Sequence, residues 1–391
     1  MLAATIWPPS FARDEAVRRA ANGAIDWQVF LRLVDRHRVA GIVQAAFTMA
    51  AFLPPSAPAA ILTERATTIA RNNLKMAAET IRLQRAFDRA SIDVCFFKGC
   101  TAAMTLYGDL AQRHSKDIDL LVKPSQIKEA YALIERLGYR RIMPPSHLSA
   151  QHLACWLAVK KEIEFLEPRT GLQLELHTRL LDSPYQANAL ACWNSLERVA
   201  LASGALVNAP QRAALFVYLC AHGADHGWMR LKWLVDIAAF VAADDAEQLI
   251  AADHHRWARR CIGQALLLCQ DFWGLDLPGR FTARLHQDRR TRWLAAVARY
   301  TLLRGAGLTE LSDTVFGQAL IKLASFLQET SLRFYASQFE YVLRSPYDIV
   351  DLQLPSRWTF LYPFLRLPMW LWRILRKWCL SLPPGDRPAA R

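Results

Sequence analysis

The chain has 391 residues, of which 53% are hydrophobic and 21% charged, with a net charge of +13 and a pI near 9.6. This is the profile of a folded protein long enough for two or three domains and a sizeable core. The positive balance points to a polyanionic partner: a nucleotide, a nucleic acid or an anionic membrane surface.

Eight cysteines fall at irregular spacing with no Cys-x-x-Cys pair. That argues against a zinc ribbon or a disulfide framework and for buried thiols in a reducing compartment. The opening "MLAATIWPPSFARDEAVRRA" has no basic region leading into an apolar one, so it does not read as a signal peptide. No uncharged apolar run reaches the roughly 18 residues a membrane span needs. The expectation is a cytoplasmic protein, with a candidate peripheral contact to the inner membrane or a partner protein in its tail.

Residues 1–90 read as an N-terminal helical region, with apolar residues at helical spacing, a break at "PPSAPAA" and a long helix from about 61 to 90. The texture then changes. "DVCFFK" suits a strand, "GCTAAMTLYG" a helix and "DIDLLVK" a second strand. "PSQIKEAYALIERLGY" opens on Pro and ends near Gly138, as helices do. "KKEIEFLEPRTGLQLELHTRL" reads as two strands around a turn. Residues 91–182 are therefore a mixed α/β block. Residues 183–355 read as a C-terminal helical domain, clearest in "QRAALFVYLCAHGADHGWMRLKWLVDIAAFVAADD".

The tail, 356–391, interleaves aromatics with seven basic residues and one acid, a local charge of +6. Trp358, Phe360, Phe364, Trp370, Trp372 and Trp378 fit anchoring at the level of lipid headgroups. Pro363 and Pro368 would break the tail, leaving a helix from about Pro368 to Leu382.

The chemically informative stretch is "FFKGCTAAMTLYGDLAQRHSKDIDLLV". Alternate side chains of a strand share a face, so Asp117 and Asp119 point one way while Ile118, Leu120 and Val122 point to a core. Two adjacent carboxylates raise each other's pKa unless a cation lies between them. Mg²⁺ is commonly held by one or two carboxylates together with substrate phosphates. Upstream, Gly99 at a strand-to-helix junction lets a phosphate approach the helix N-terminus, and Lys98 adds a fixed charge. Downstream, Glu175 offers a third carboxylate, enough for a two-metal site.

The order strand, Lys98-Gly99, Tyr107, Arg113, Asp117-Ile-Asp119-Leu-Leu-Val, then Glu175-Leu-His177 and "HGADHGWMRLKWLVD" (222–236), resembles a bacterial family of uncharacterised nucleotidyltransferases. That family lies in the DNA polymerase beta-like superfamily, and the likeness runs over about residues 40–290. The resemblance implies an α+β fold: a small mixed β-sheet nucleotidyltransferase core embedded in a mostly α-helical protein. It implies a nucleotidyl group moved from an NTP to an acceptor hydroxyl, with two Mg²⁺ ions, or Mn²⁺.

By the same resemblance Asp117, Asp119 and Glu175 are the metal and catalytic residues. Lys98, Gly99, Arg113 and Ser115 are nucleotide-binding, and His177, His226, Lys232 and Asp236 are candidate cleft residues. The acceptor classes are tRNA, a peptide or protein, or a small molecule, with biosynthetic-cluster peptides such as lasso peptides among them. Two departures stand out: Gly99-Cys100 replaces the commoner Gly-Gly or Gly-Ser, and Glu175 replaces the commoner Asp.

Other chemistries are weaker. His222 and His226 share a helical face, yet no third zinc ligand accompanies them. There is no Gly-x-Ser-x-Gly and no P-loop. The remaining alternatives are a glycosyltransferase that holds a sugar nucleotide with Asp117-x-Asp119, and a non-catalytic module of the same fold.

Overall fold

The computed structural model describes residues 1–381 except 191, 194–195, 202–203, 253, 278, 306 and 309–313. Five helices come first: α1 (Leu2–Thr5), α2 (Phe11–Ala21), α3 (Trp27–His37), α4 (Ala40–Met49) and α5 (Ser56–Arg89). The α/β block follows as β1 (Val94–Phe96), α6 (Gly99–Tyr107), β2 (Asp117–Val122), α7 (Ile127–Arg136), β3 (Arg140–Met143), α8 (Ala150–Val159), β4 (Glu162–Leu166) and β5 (Gln173–His177). A short helix α9 (Pro184–Ala189) leads to a hairpin, β6 (Leu196–Ala200) and β7 (Leu206–Pro210). Then come α10 (Arg212–Asp225), α11 (Leu231–Val241), α12 (Ala246–Ala251), α13 (Arg256–Trp273), α14 (Gly279–Gln287), α15 (Arg289–Leu303), α16 (Val315–Ser325), α17 (Leu332–Leu343), α18 (Pro346–Asp351) and α19 (Tyr362–Ser381). The expected α+β class, with its small sheet set among helices, is what the chain adopts.

The five-stranded sheet has the order β1-β2-β5-β4-β3. Its centre is a parallel pair, β2 on β5, flanked by antiparallel neighbours. The two faces of β2 go to different places, as its alternation demands. Ile118, Leu120 and Val122 join Phe96, Leu174, Leu176 and Phe165 in a core roofed by α5 and α7. On the opposite face Leu121, with Cys95 and Phe97, belongs to a second core. That core also takes Phe30, Val34 and Phe47 from the N-terminal helices and Phe216, Leu234 and Trp257 from the later ones. So the first 50 residues and the helices after residue 210, distant in sequence, are one packed body.

Two expectations need correction. Residues 196–210 are a β-hairpin inside the stretch read as helical. The segments "LERVA" and "LVNAP" are too short for a helical period to be told from an alternating one, and tertiary contact decides. Asn208 fixes the hairpin, donating from its side chain to the Val94 carbonyl at 3.1 Å and accepting from the Arg198 guanidinium of the paired strand at 3.2 Å. Its backbone N–H donates to Gln84 Oε1 at 2.9 Å. The tail helix also begins earlier than expected, at Tyr362, and runs through Pro368. Pro363 sits in the first turn, where a missing N–H costs nothing, and Pro368 lies on the exposed side. Leu382, its expected end, and the rest of the tail are outside the described residues.

The loop before β2 is held from three sides. Asn73 of α5 donates to the carbonyls of Leu110 and Arg113. Gly41 of α4 lies so close to this loop that a Cβ there would stand 2.1 Å from the Ala111 carbonyl oxygen. Arg113 grips Asp236 of α11 with three contacts of 3.0–3.1 Å, both groups almost fully buried, and the Tyr107 hydroxyl donates to the same carboxylate at 2.9 Å. A buried pair is costly to break because the survivor is left uncompensated. Asp236→Ala is therefore expected to cost about 3–5 kcal/mol in a urea melt. A loss below about 1 kcal/mol would show that the clamp is not what joins α11 to the sheet.

Candidate active site

The site is built on the solvent end of the parallel pair. Register sets Asp119 directly opposite Glu175 and Leu121 opposite His177. Across β5, β4 brings Glu164 opposite Glu175 and Glu162 opposite His177. Four carboxylates and one imidazole therefore crowd a small area, and fixed cations answer them.

Lys98 Nζ meets Asp119 Oδ1 at 3.0 Å. His177 Nε2 lies 3.1 Å from Glu175 Oε2 and 3.4 Å from Asp119 Oδ1. Burial opposes the charged form of Asp119, but Lys98 and His177 outweigh it and hold its carboxyl below the usual range. Burial likewise pulls Lys98 and His177 toward neutrality, and the facing carboxylates reverse this, so both stand above their ordinary values. Asp117, at the strand's mouth, has no such direct partner. Burial and the charges of Asp119 and Glu175 push its carboxyl up to about 7, with Lys98 and Lys232 only partly offsetting them.

Gly99 has φ +58°, a left-handed conformation that side chains rarely tolerate, and it opens α6 beside Asp117. A helix N-terminus thus faces the carboxylate cluster, ready for an anion. Ser115 Oγ is buried without a hydrogen-bond partner and lines the same cavity, a donor held in reserve.

The cavity has a volume of about 260 Å³ and is lined by eight basic residues and five acidic ones. Lys98, Gly99, Arg113, Ser115, Asp117, Asp119, Glu175, His226 and Lys232, all marked by the sequence, are in its wall. His177 sits just beneath, fully buried. Asp236 lies behind the wall, engaged by Arg113, so this pair positions the cleft's floor rather than presenting a free guanidinium and carboxylate to it.

His226 stacks on Trp233 with ring centroids 5.0 Å apart. Burial and the charges of Lys161 and Lys98 pull it down to about 3, so it is a neutral ring here. Lys232 donates to the His114 carbonyl at 3.2 Å. Burial and Arg113 bring its ammonium down to about 7.

The sequence reading passed over Lys160, Lys161, Glu162 and Asp182, which line the wall together with Arg38, Lys116 and Arg230. Lys161 lies 3.5 Å from Asp182 and 3.9 Å from Glu162. The signal was present in "KKE" at 160–162, where a doubled lysine leads into the alternating strand "EIEFL".

The donor set suits a hard divalent cation. One ligand atom each from Asp119, Glu175 and His177 lie within 4.8 Å of one another. Asp117 adds a carboxylate destabilised by burial and by its acidic neighbours, which a cation would relieve. Oxygen-rich donors favour Mg²⁺ or Mn²⁺ over softer metals. The compact group includes His177, which the sequence placed in the cleft, and leaves Asp117 at its edge.

Paired strand carboxylates, a helix N-terminus opened by glycine and a basic cleft together make up the candidate site. A family model described as uncharacterised nucleotidyltransferase matches residues 23–274, and the chain belongs to that family. No curated protein and no solved structure matches it. No described helix is long and apolar enough to cross a membrane.

Two titrations follow from the cleft's charges. Asp117 must lose its proton to bind a cation, so Mg²⁺ is expected to raise the melting temperature more at about pH 8 than at about pH 6. Equal shifts at both would place Asp117 outside the cation site. Lys232 is largely neutral at about pH 8, and an anion beside it would recharge it. Inorganic triphosphate binding without metal should then take up protons, read by titration calorimetry in buffers of different ionisation enthalpy. The uptake should vanish in Lys232→Met.

Proposed function

We propose that this protein transfers a nucleotidyl group from an NTP to an acceptor hydroxyl, with Mg²⁺ as the natural cation. The observation that carries the reading is the register of β2 and β5, which sets Asp119 beside Glu175 at the foot of a cleft walled by basic residues. The triphosphate lies along the N-terminus of α6, with Lys98, Lys160 and Lys161 answering its charge and Ser115 donating to a phosphate oxygen. Asp117, Asp119 and Glu175, with His177 adjoining, would hold the divalent cations, which neutralise phosphate charge and favour the ionised acceptor hydroxyl.

In this reading Glu175, its carboxylate held by His177 at 3.1 Å, would take the acceptor's proton. The acceptor oxygen forms a bond to the α-phosphorus, the α–β bridging bond breaks, and pyrophosphate leaves with that electron pair.

A second cavity, of about 500 Å³, opens from the same cleft across Lys160, Lys161, Asp182, His222 and His226. Its far wall carries Gln186, Gln338, Ser325, Asp225 and Tyr341. This is the volume of a small-ligand pocket, and its amides and hydroxyls suit a compact hydroxylated molecule or the end of a peptide. A folded tRNA would reach it only with a terminus. The reading therefore favours a small or peptide acceptor.

The test incubates the protein with Mg²⁺ and α- or γ-labelled NTPs, with the small-molecule, peptide and RNA fractions of a cell extract supplied separately as acceptors. Transfer of α-label to an acceptor is expected, and Asp119→Asn should reduce it by more than the roughly 10–100-fold that outer-shell changes cost at metal sites. Transfer of γ-label alone would make the protein a phosphotransferase. Turnover of a sugar nucleotide in place of an NTP would make it a glycosyltransferase.

A further inference from the structure

The last described helix is turned the wrong way round for a surface helix. Along α19 the residues that face the body are Tyr362, Arg366, Met369 and Arg373, at helical spacing. The two arginines are spent on acids of α18: Arg373 reaches Asp348 at 2.5 Å and Asp351 at 2.9 Å, and Arg366 lies 3.9 Å from Asp348. Asp348 is fully buried beneath them. The opposite face is an apolar stripe. Phe364, Leu367, Leu371 and Leu375 stand 75%, 66%, 49% and 58% exposed. Trp370 and Trp372 border it, with the Arg376 guanidinium 5.3 Å from the Trp372 ring.

A helix that buries its charges and shows its leucines to water gains nothing from that arrangement unless something apolar covers it. The exposure is also concentrated. Of 27 large apolar side chains exposed among the described residues, 20 lie at or beyond Trp293. The family match ends at residue 274, so this surface belongs to the part of the chain outside it.

We propose that α19 lies in the headgroup region of an anionic lipid bilayer and seats the protein on a membrane surface. Three features select lipid over a partner protein. The stripe has no hydrogen-bonding side chain to set a register, as a specific helix partner would need, and a fluid acyl layer needs none. The helix contains no acidic residue, and exposed Arg357 and Arg376 flank it, inside a tail of local charge +6. Tryptophans at the borders of an apolar stripe suit the boundary between acyl chains and headgroups. Two signals together, an apolar face and basic flanks, are what stable surface anchoring takes.

The seat is mechanically close to the site without being part of it. Helix α19 packs on α17, whose Tyr341 lines the second cavity, and α18 packs on α8, which runs directly into Lys160 and Lys161. This inference is independent of the reaction proposed above.

The experiment is flotation of the full chain with vesicles of phosphatidylcholine alone and of phosphatidylcholine mixed with phosphatidylglycerol. The protein is expected to float with the anionic vesicles and much less with the neutral ones, and to be released by salt. Leu371→Glu/Leu375→Glu should lower lipid partition by about tenfold or more while leaving Mg²⁺-dependent thermal stabilisation intact. Arg357→Glu/Arg376→Glu, which leaves the stripe untouched, should remove the preference for anionic vesicles. Wild-type protein that floats with neither vesicle, or a leucine double variant that floats as well as wild type, would overturn the proposal. So would a wild-type dimer that the leucine variant converts to a monomer, since a second copy would then be the occupant.

Discussion

Everything at the site depends on one pairing, the parallel alignment of β2 with β5 that puts Asp119 against Glu175. Such proximity is unfavourable on its own, because each carboxylate raises the other's proton affinity. The fold answers with cations that cannot move away. Lys98 comes from the turn into α6 and His177 from β5 itself, and each is more charged than burial alone would allow. Asp117 shows what happens without such an answer: its carboxyl rises to about 7. The site thus holds one satisfied carboxylate and one unsatisfied one, two residues apart.

The surrounding architecture serves to keep that pairing aimed at a cleft. The loop between α6 and β2 has no regular structure of its own. It is fixed by Asn73, by the close approach of Gly41 and by the Arg113–Asp236 clamp. Because Asp236 belongs to α11, the clamp also brings Lys232 and Trp233 of the same helix over the site. A buried ion pair is a poor source of net stability but a good determinant of position. Here it decides where the helical body stands relative to the sheet.

Charge explains the cleft's chemistry more than shape does. Eight basic residues stand around 260 Å³, with Lys161 pushed up by Asp182 and Glu162 and Lys232 brought down by burial and Arg113. A polyphosphate is the kind of ligand that would let Lys232 carry its charge beside the others. The second cavity shares five wall residues with the first, so an occupant of one lies within reach of the other.

The alternation in "DIDLLV" and the glycine after Lys98 are local features, and they were enough to mark the strand, its acidic face and the strand-to-helix junction. Long periodic helices such as α5 and α10 were legible for the same reason, since period and length are properties of a segment. Three things were not local. The hairpin at 196–210 is defined by what it docks on, Val94 and Gln84, more than one hundred positions earlier. Arg113 reads as a phosphate ligand in isolation, and only the arrival of Asp236, 123 residues on, gives it a partner. Lys160, Lys161 and Asp182 enter the cleft because β4 and β5 fold back antiparallel, which places the start of one strand beside the end of the other. The sequence by itself determined which residues could carry charge and which face of each element they occupied. Tertiary structure alone decided which charges met, because Coulomb and desolvation energies depend on distance and burial, and neither is a property of a segment.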